Sequence, residues 1–161
     1  MSVRVEASVD LPIGAGTAFA CMVDLPSQER WIIATRLYPI EGSVSVPQVG
    51  SRLAAFTGVG SIGFLDTMKV TVYDPPWRWI TQHEGEFVRG VGIFEVESTP
   101  GGCRVTWAEE LELPFGLLGR VGWPLIKPMA RIGLQASLRR MARQIASGTL
   151  PLAAVPEVRE P

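Results

Sequence analysis

The stretch DPPWRWITQHEGEFVRGVGIFEVE (residues 74–97) holds two segments in which polar and apolar residues alternate, separated by Glu84-Gly85. A period of two is the pattern of a β-strand with one buried face. Two such segments joined by a short glycine-containing turn predict an antiparallel hairpin, and a two-residue turn would place His83 opposite Glu86. The fold is therefore predicted to be built around antiparallel strands.

One face of this hairpin is predicted to point into the protein. It carries Trp79, Thr81 and His83 on the first strand, and Val88 and Phe94 on the second. The other face of the second strand is dominated by charged residues, which favour contact with solvent. The only histidine of the chain is thus expected on the inner surface, close to large aromatic rings.

The rest of the chain extends this pattern into a mixed fold. Strands are predicted at residues 2–10, 33–45, 51–57, 62–73, 77–83, 87–98 and 104–113, and short helices at 15–23 and 26–31. Apolar residues at helical spacing predict a long C-terminal helix, which we expect to begin near Pro124 because prolines fit a first helical turn. These elements predict an α+β fold in which a curved antiparallel sheet wraps the C-terminal helix and leaves a cavity between them.

The composition predicts one domain of a soluble, cytoplasmic protein. Residues 1–147 are expected to form the domain, and residues 148–161, with three prolines and no periodicity, a flexible tail. The 15 basic and 16 acidic residues create no field that would attract nucleic acid. We find neither the pattern of a leader peptide nor an apolar run of about 18 residues, so no integral membrane contact is expected. The oligomeric state stays open.

No cofactor and no metal site is predicted. Cys21 and Cys103 share no metal-ligand spacing and are expected to be small buried residues. Gly58-Val59-Gly60 precedes a strand, unlike a phosphate-binding loop, and Gly90-Val91-Gly92 lies within a strand. Both glycine clusters are typical of bulges or close packing.

Two carboxylates are predicted to share the inner surface with the histidine. Alternation in two further strands points these residues inward: Phe64, Asp66, Met68, Val70, Val72, Trp107 and Glu109. Asp66, His83 and Glu109 thereby become three ionisable groups on an otherwise apolar surface. A buried carboxylate without a partner costs several kcal/mol. These groups are therefore expected to bind each other, Arg36 or Arg52, water, or a ligand.

The predicted ligand-contacting residues are Phe64, Asp66, Met68, Trp79, Thr81, His83, Val88, Phe94, Trp107 and Glu109. Asp66, His83 and Glu109 are also the candidate catalytic residues, because a histidine and a pair of carboxylates can transfer protons near neutral pH. A structural role is open for each of them, as a hydrogen-bonded histidine at a strand end or as an ion pair. The tryptophans can equally be plain core residues.

Several stretches resemble the START-like (SRPBCC) superfamily, and within it the polyketide cyclase/dehydrase branch. They include DLPIGAGTAFACMVDLPSQERWI (residues 10–32), TPGGCRVTWAEELELP (residues 99–114) and LGRVGWPLIKPMARIG (residues 118–133), the last similar to an uncharacterised bacterial subgroup. The resemblance covers about residues 3–146 and implies a helix-grip fold with a hydrophobic ligand cavity. A single histidine excludes the two-histidine iron site of the ring-hydroxylase members.

Three functions are consistent with these observations. The first is binding of a hydrophobic small molecule or lipid in the predicted cavity. The second is a cyclase or dehydratase activity in which Asp66, His83 and Glu109 transfer protons. The third is a protein-interaction module whose cavity is vestigial. A cavity of a few hundred Å³, with the three polar groups converging on it, would favour the first two over the third.

Overall fold

Seven strands and three helices make up the described part of the chain, which in this computed structural model comprises residues 2–40, 48–85, 88–112 and 117–152. In chain order the elements are β1 (Ser2–Leu11), α1 (Ala15–Val23), α2 (Leu25–Trp31), β2 (Thr35–Pro39), β3 (Arg52–Val59), β4 (Ile62–Asp74), β5 (Arg78–Glu84), β6 (Arg89–Thr99), β7 (Gly102–Glu112) and α3 (Leu117–Ala146). The predicted α+β class, a curved sheet with short helices and a long C-terminal helix, is confirmed.

The strands form one antiparallel sheet in the order β1-β7-β6-β5-β4-β3-β2. Strands β2 to β7 follow one another as a meander, and β1 closes the far edge by pairing with β7. Helix α1 packs on β6 and β7, while α3 packs on β1 and α2. One end of the inner sheet surface is therefore covered by helices, and its apolar residues form a filled core with Phe19, Leu138 and Met141.

The β5–β6 hairpin is longer than predicted. His83 pairs with Gly90, not with Glu86, and Glu84 pairs with Arg89, so four residues connect the strands. Glu86 itself lies outside the described residues. The shift of four positions is even, and an even shift leaves every side chain on its predicted face. The inner face of the hairpin was therefore predicted correctly although its register was wrong.

A β-bulge in β4 changes the face of one predicted core residue. The register shifts between Val70 and Val72, so that Val72 lies opposite Ile80 and Tyr73 lies opposite Trp79. Beyond the bulge the inward residue is Tyr73, whose ring meets Phe19 edge-on at 5.7 Å. The expectation that Val72 points inward was wrong, because a single extra residue reverses the alternation.

Helix α3 begins at Leu117 and not near Pro124, so the predicted start was wrong. Pro124 and Pro128 lie inside the helix, where each removes one amide donor from the helical hydrogen bonds. The neighbouring side chains are mostly exposed, so water can bind the carbonyl groups left without a donor. Exposure thus allows a helix that the proline pattern alone argues against.

The C-terminal boundary of the domain stays a prediction. Leu150 is buried in the core, and Cys21 Sγ donates a weak hydrogen bond to the carbonyl oxygen of Pro151. The packed chain therefore extends at least to Pro151, past the predicted start of the tail at residue 148. Residues 153–161 of that tail, like residues 41–47 of the strand predicted at 33–45, lie outside the described residues.

Candidate functional site

His83 lies between two carboxylates. Its Nδ1 is 2.5 Å from Asp66 Oδ2, and its Nε2 is 3.0 Å from Glu109 Oε2. Asp66 belongs to β4, His83 to β5 and Glu109 to β7, so the three side chains span four adjacent strands of the sheet. The three ionisable residues predicted to face inward are thus joined in one hydrogen-bonded group, called here the carboxylate-histidine cluster.

Two glycines of β6 make this contact across strands possible. Gly90 is paired with His83, and Gly92 is paired with Glu109. A Cβ atom at Gly92 would lie 3.3 Å from both carboxylate oxygens of Glu109 and 3.0 Å from Thr81 Oγ1. Because β6 carries no side chain at these positions, the imidazole can reach across its backbone to β7. The correct hairpin register would have revealed this role of the glycines from the sequence.

The pKa of His83 is raised from 6.5 to about 9. Burial of the ring is the largest single influence and on its own would lower this pKa. The hydrogen bonds to Asp66 and Glu109, together with the charges of both carboxylates, outweigh the effect of burial. His83 is therefore an imidazolium at neutral pH, and each of its two N–H groups donates to a carboxylate.

The two carboxylates differ in how completely they are bonded. Glu109 also accepts a hydrogen bond from Trp107 Nε1 at 2.7 Å, so both of its oxygens have donors. Asp66 Oδ1 is buried and has no hydrogen-bond partner within the described chain. It lies against Gly85, where a Cβ atom would come within 2.6 Å of it. His83 is thus the main compensation for the charge of Asp66.

Neither arginine considered from the sequence is the partner of the carboxylates. Arg52 Nε lies 3.4 Å from Glu84 Oε2, and Arg36 and Arg52 are both exposed. The side chains of His83 and Asp66 are only 8% and 7% exposed, so the cluster is shielded from solvent. Across the described residues, no group of three or more histidine, cysteine, aspartate or glutamate side chains could hold a metal ion.

A cavity of about 230 Å³ adjoins the cluster. All ten residues predicted to contact a ligand line it. Seven lining residues that the sequence did not predict come from α2, the segment after it, β2 and β3: Gln28, Ile32, Thr35, Leu37, Leu53, Ala55 and Thr57. The packing of α2 on the sheet and the curvature of the sheet bring these segments to the site. Gln28 is held in place because its side-chain amide donates to the carbonyl oxygen of Met22.

The cavity was predicted to lie between the sheet and α3, and for the described residues this position was wrong. Gln28 and Ile32 close the side that faces the sheet, and none of the described α3 side chains lines the cavity. The buried residues of α3, among them Leu138 and Met141, belong to the filled core. Phe64 lines the cavity and is 42% exposed, so the cavity reaches solvent beside the start of β4.

Stacked aromatic rings form one wall of the cavity. Trp79 and Phe94 are stacked with ring centroids 5.4 Å apart, and Phe94 and Trp107 with centroids 5.0 Å apart. Trp31 meets Phe94 and Trp107 edge-on from the helical side. These contacts hold the rings in fixed orientations, and the wall is aromatic.

Comparisons with known proteins agree with this architecture. The sequence matches the family described as polyketide cyclase / dehydrase and lipid transport over residues 2–146. The chain belongs to this family. The resemblance noted in the sequence is thereby confirmed, and with it the helix-grip fold. No curated protein matches the chain.

Several solved structures share the fold. TTHA0849 from Thermus thermophilus is 14% identical with a TM-score of 0.69, and the match covers 92% of this chain and 99% of that one. The polyketide-cyclase-like protein Cgl2372 from Corynebacterium glutamicum is 16% identical with a TM-score of 0.63, over 92% and 94% of the two chains. DynU16, a protein in the dynemicin biosynthetic locus, is 14% identical with a TM-score of 0.67, over 94% of this chain and 49% of its own. At these identities the likeness extends to the fold alone.

Proposed function

We propose that this protein binds a small, largely apolar molecule in the cavity beside the carboxylate-histidine cluster. The observation that carries the proposal is a hollow of about 230 Å³ whose ionisable lining residues, within the described chain, are the three members of that cluster. A concave apolar site with a few convergent polar groups is the usual form of a ligand pocket. The family description, which includes cyclases, dehydrases and lipid transport, is compatible with this role.

The volume of the cavity favours a compact ligand. It lies between a cavity of about 150 Å³ that holds benzene and the roughly 300–1,000 Å³ of sites for drug-sized ligands. The aromatic wall of Trp79, Phe94 and Trp107 suits a molecule of one or two rings. We therefore favour a small ring-bearing compound over a long-chain lipid.

The charges in the lining favour an uncharged or cationic ligand. At neutral pH two carboxylates and one imidazolium face each other in the cluster, and no arginine or lysine lines the described part of the cavity. A ligand carboxylate would enter without a cation to compensate it, and an uncompensated buried charge is costly. Phenols, ketones and amines are therefore better candidates than acids.

The cluster supports binding more than proton transfer. Both ring nitrogens of His83 are already bonded to carboxylates, so the ring offers no lone pair for a general base. With a pKa of about 9 it also releases its proton poorly at neutral pH. The cyclase or dehydratase activity is therefore our second candidate. Because side chains do not fill the cavity, we favour ligand binding and the cyclase or dehydratase activity over a protein-interaction module with a vestigial cavity.

The test is a matched series of ligands with one ring system and three charges. Native mass spectrometry of freshly purified, tag-free protein comes first, to detect any co-purified molecule, which is then removed before the titrations. Titration calorimetry with 2-naphthol, 2-naphthylmethylamine and 2-naphthoate at pH 7 should then give binding of the first two at least tenfold tighter than binding of the acid. Equal binding of all three would contradict the assigned ligand charge.

A pair of leucine substitutions locates the binding. Ala55→Leu adds volume to the lining and should weaken binding of 2-naphthol at least tenfold, whereas Thr71→Leu on the exposed side of β4 should not change it. Circular dichroism checks that both variants are folded. If both bind as the parent does, the naphthol site is elsewhere and the proposal fails.

A further inference from the structure

Helix α3 carries a second apolar face that is not used by the core. Val121, Leu125, Met129 and Ile132 recur at spacings of four, four and three residues, which places them on one side of the helix. They and the adjacent Ile126 are each at least 57% exposed. The buried residues of the helix, such as Leu138, lie on the other side. We call the exposed set, Val121, Leu125, Ile126, Met129 and Ile132, the outer face of α3.

The outer face is an unusual concentration of exposed apolar side chains. Soluble proteins commonly expose single apolar residues, whereas a contiguous exposed stripe marks an interaction surface. Gly122 and Gly133 lie close to the stripe, and a Cβ atom at either would meet nothing within 4 Å. The stripe is therefore open over about three turns of helix and is not shielded by neighbouring loops of the described chain.

The charge of α3 indicates what this face contacts. The helix contains six of the 15 basic residues of the chain and none of its 16 acidic residues. Arg139 and Arg143 continue the line of the outer face at helical spacing, and both are exposed. Lys127 and Arg131 lie on another side of the helix, next to Arg4 and Glu6 of β1. The chain as a whole has a net charge of −1, so this cationic surface is local and not a property of the composition.

We propose that the outer face of α3 binds the surface of a bilayer that contains anionic lipid. An apolar stripe that is continued by exposed arginines, on a helix without carboxylates, is the pattern of a helix that lies in the plane of a membrane interface. The apolar side chains enter the acyl boundary, while the cations bind lipid phosphates. No helix in the described residues is long and apolar enough to cross a membrane.

The charge also argues against a second copy of the chain on this face. A two-fold dimer through α3 would place two helices, each with six cations and no carboxylate, against one another. The like charges would repel where the apolar stripes meet. An anionic bilayer offers acyl chains to the apolar stripe and phosphate groups to the cations. The outer face does not line the ligand cavity, so this proposal is independent of the proposed function.

The test is flotation of the full-length protein with large vesicles of phosphatidylcholine, alone or with 30% phosphatidylglycerol. The parent should float with the anionic vesicles at 50 mM NaCl, at least tenfold more than with neutral ones, and should be largely released at 500 mM NaCl. Protein that stays unbound with both vesicles, or that binds both equally, overturns the proposal.

Two matched variants locate the membrane contact. Leu125→Glu/Met129→Glu changes the outer face, and Val59→Glu/Ile62→Glu makes the same change at the β3–β4 turn, where both residues are at least 80% exposed. The first should reduce binding to anionic vesicles at least tenfold, and the second less than twofold. Equal losses in the two variants would contradict the assignment to α3.

A third variant and a mass measurement complete the test. Arg139→Gln/Arg140→Gln/Arg143→Gln should reduce binding to anionic vesicles severalfold and flatten its dependence on salt. Light scattering without vesicles should give one molecular mass for the parent and Leu125→Glu/Met129→Glu. If the parent is a dimer and that variant a monomer, the occupant of the outer face is a second copy and the membrane proposal is wrong.

Discussion

The inner surface of the sheet has a filled end and a hollow end, although the same strands supply both. At the filled end, Val96 of β6 and Cys103 and Val105 of β7 are almost completely buried beneath α1. Further along these strands the inward positions are Gly92 and Glu109, and Gln28 of α2 and Ile32 line the space opposite them without filling it. The hollow therefore arises where side chains are removed from β6 and where polar groups that bind each other replace apolar ones.

The comparison also shows two ways to stabilise the same kind of surface. At the filled end, burial of apolar area provides the stability. At the hollow end, His83, Asp66 and Glu109 are buried ionisable groups that are tolerated because each compensates another. The following predictions separate the two ends, from the largest expected effect to the smallest.

Removal of the histidine should have the largest effect. His83→Leu leaves Asp66 and Glu109 buried without their cation, and breaking such a pair costs roughly 3–5 kcal/mol of unfolding free energy. Urea unfolding at pH 7 measures the loss. The triple variant Asp66→Leu/His83→Leu/Glu109→Leu should recover most of the stability, because no buried charge remains. A single variant within about 1 kcal/mol of the parent would show that the cluster is not compensated as described.

Alkaline pH should weaken only the hollow end. The pKa of His83 is about 9 when folded and near 6.5 when unfolded, so its contribution to stability is fully present below pH 6.5 and is lost as the pH rises through 9. The difference corresponds to about 3 kcal/mol at one pKa unit per 1.36 kcal/mol. Unfolding free energies of the parent and His83→Leu should therefore converge between pH 6.5 and 10.

The titration can be observed directly because the chain has one histidine. The imidazole Cε1–H signal of tag-free protein, followed by NMR from pH 5 to 11, reports the pKa of His83 without assignment work. A midpoint near 6.5 would contradict the cluster, since an unperturbed histidine titrates there.

The smallest effect should come from substitution of Gly92, whose missing side chain leaves room for the hollow. Gly92→Ala places a Cβ atom 3.3 Å from the carboxylate of Glu109, which must move. We expect a loss of about 1–2 kcal/mol of unfolding free energy and a lower pKa of His83, because Glu109 is displaced from the ring. Gly101→Ala is the matched control, since a Cβ atom there meets nothing within 4 Å, and its stability should stay within about 0.5 kcal/mol of the parent.

The alternation of residues in the sequence was sufficient to find the members of the hollow end. It placed Asp66, His83 and Glu109 on one face even though the hairpin register was wrong, because an error of four residues preserves the face. It could not exclude Arg36 or Arg52 as partners, since that choice depends on which strands lie side by side. The alternation also could not predict the bulge at Val70–Val72 or the continuation of α3 through Pro124, because both depend on packing and exposure.

The position of the cavity was predicted less well than its lining. Periodicity shows which residues of a strand face inward, but it does not show which helix covers them. Gln28 and Ile32 close the cavity because α2 lies over its part of the sheet, and the short α2 pattern in the sequence contains no sign of this. Among the described residues, α2 and not α3 covers the cavity, and only the tertiary structure shows this.

The pairing of β1 with β7 has a consequence for the order of folding. Asp66 and His83 are 17 residues apart, and His83 and Glu109 are 26 apart, so the charges can meet once the meander has formed. Val5, however, pairs with Glu109, and this contact must close a loop of about one hundred residues. Contacts of such sequence separation form late and slow the folding of a domain. On the ribosome, β1 therefore waits for almost the whole sheet to be synthesised before it can cover the strand that carries Glu109.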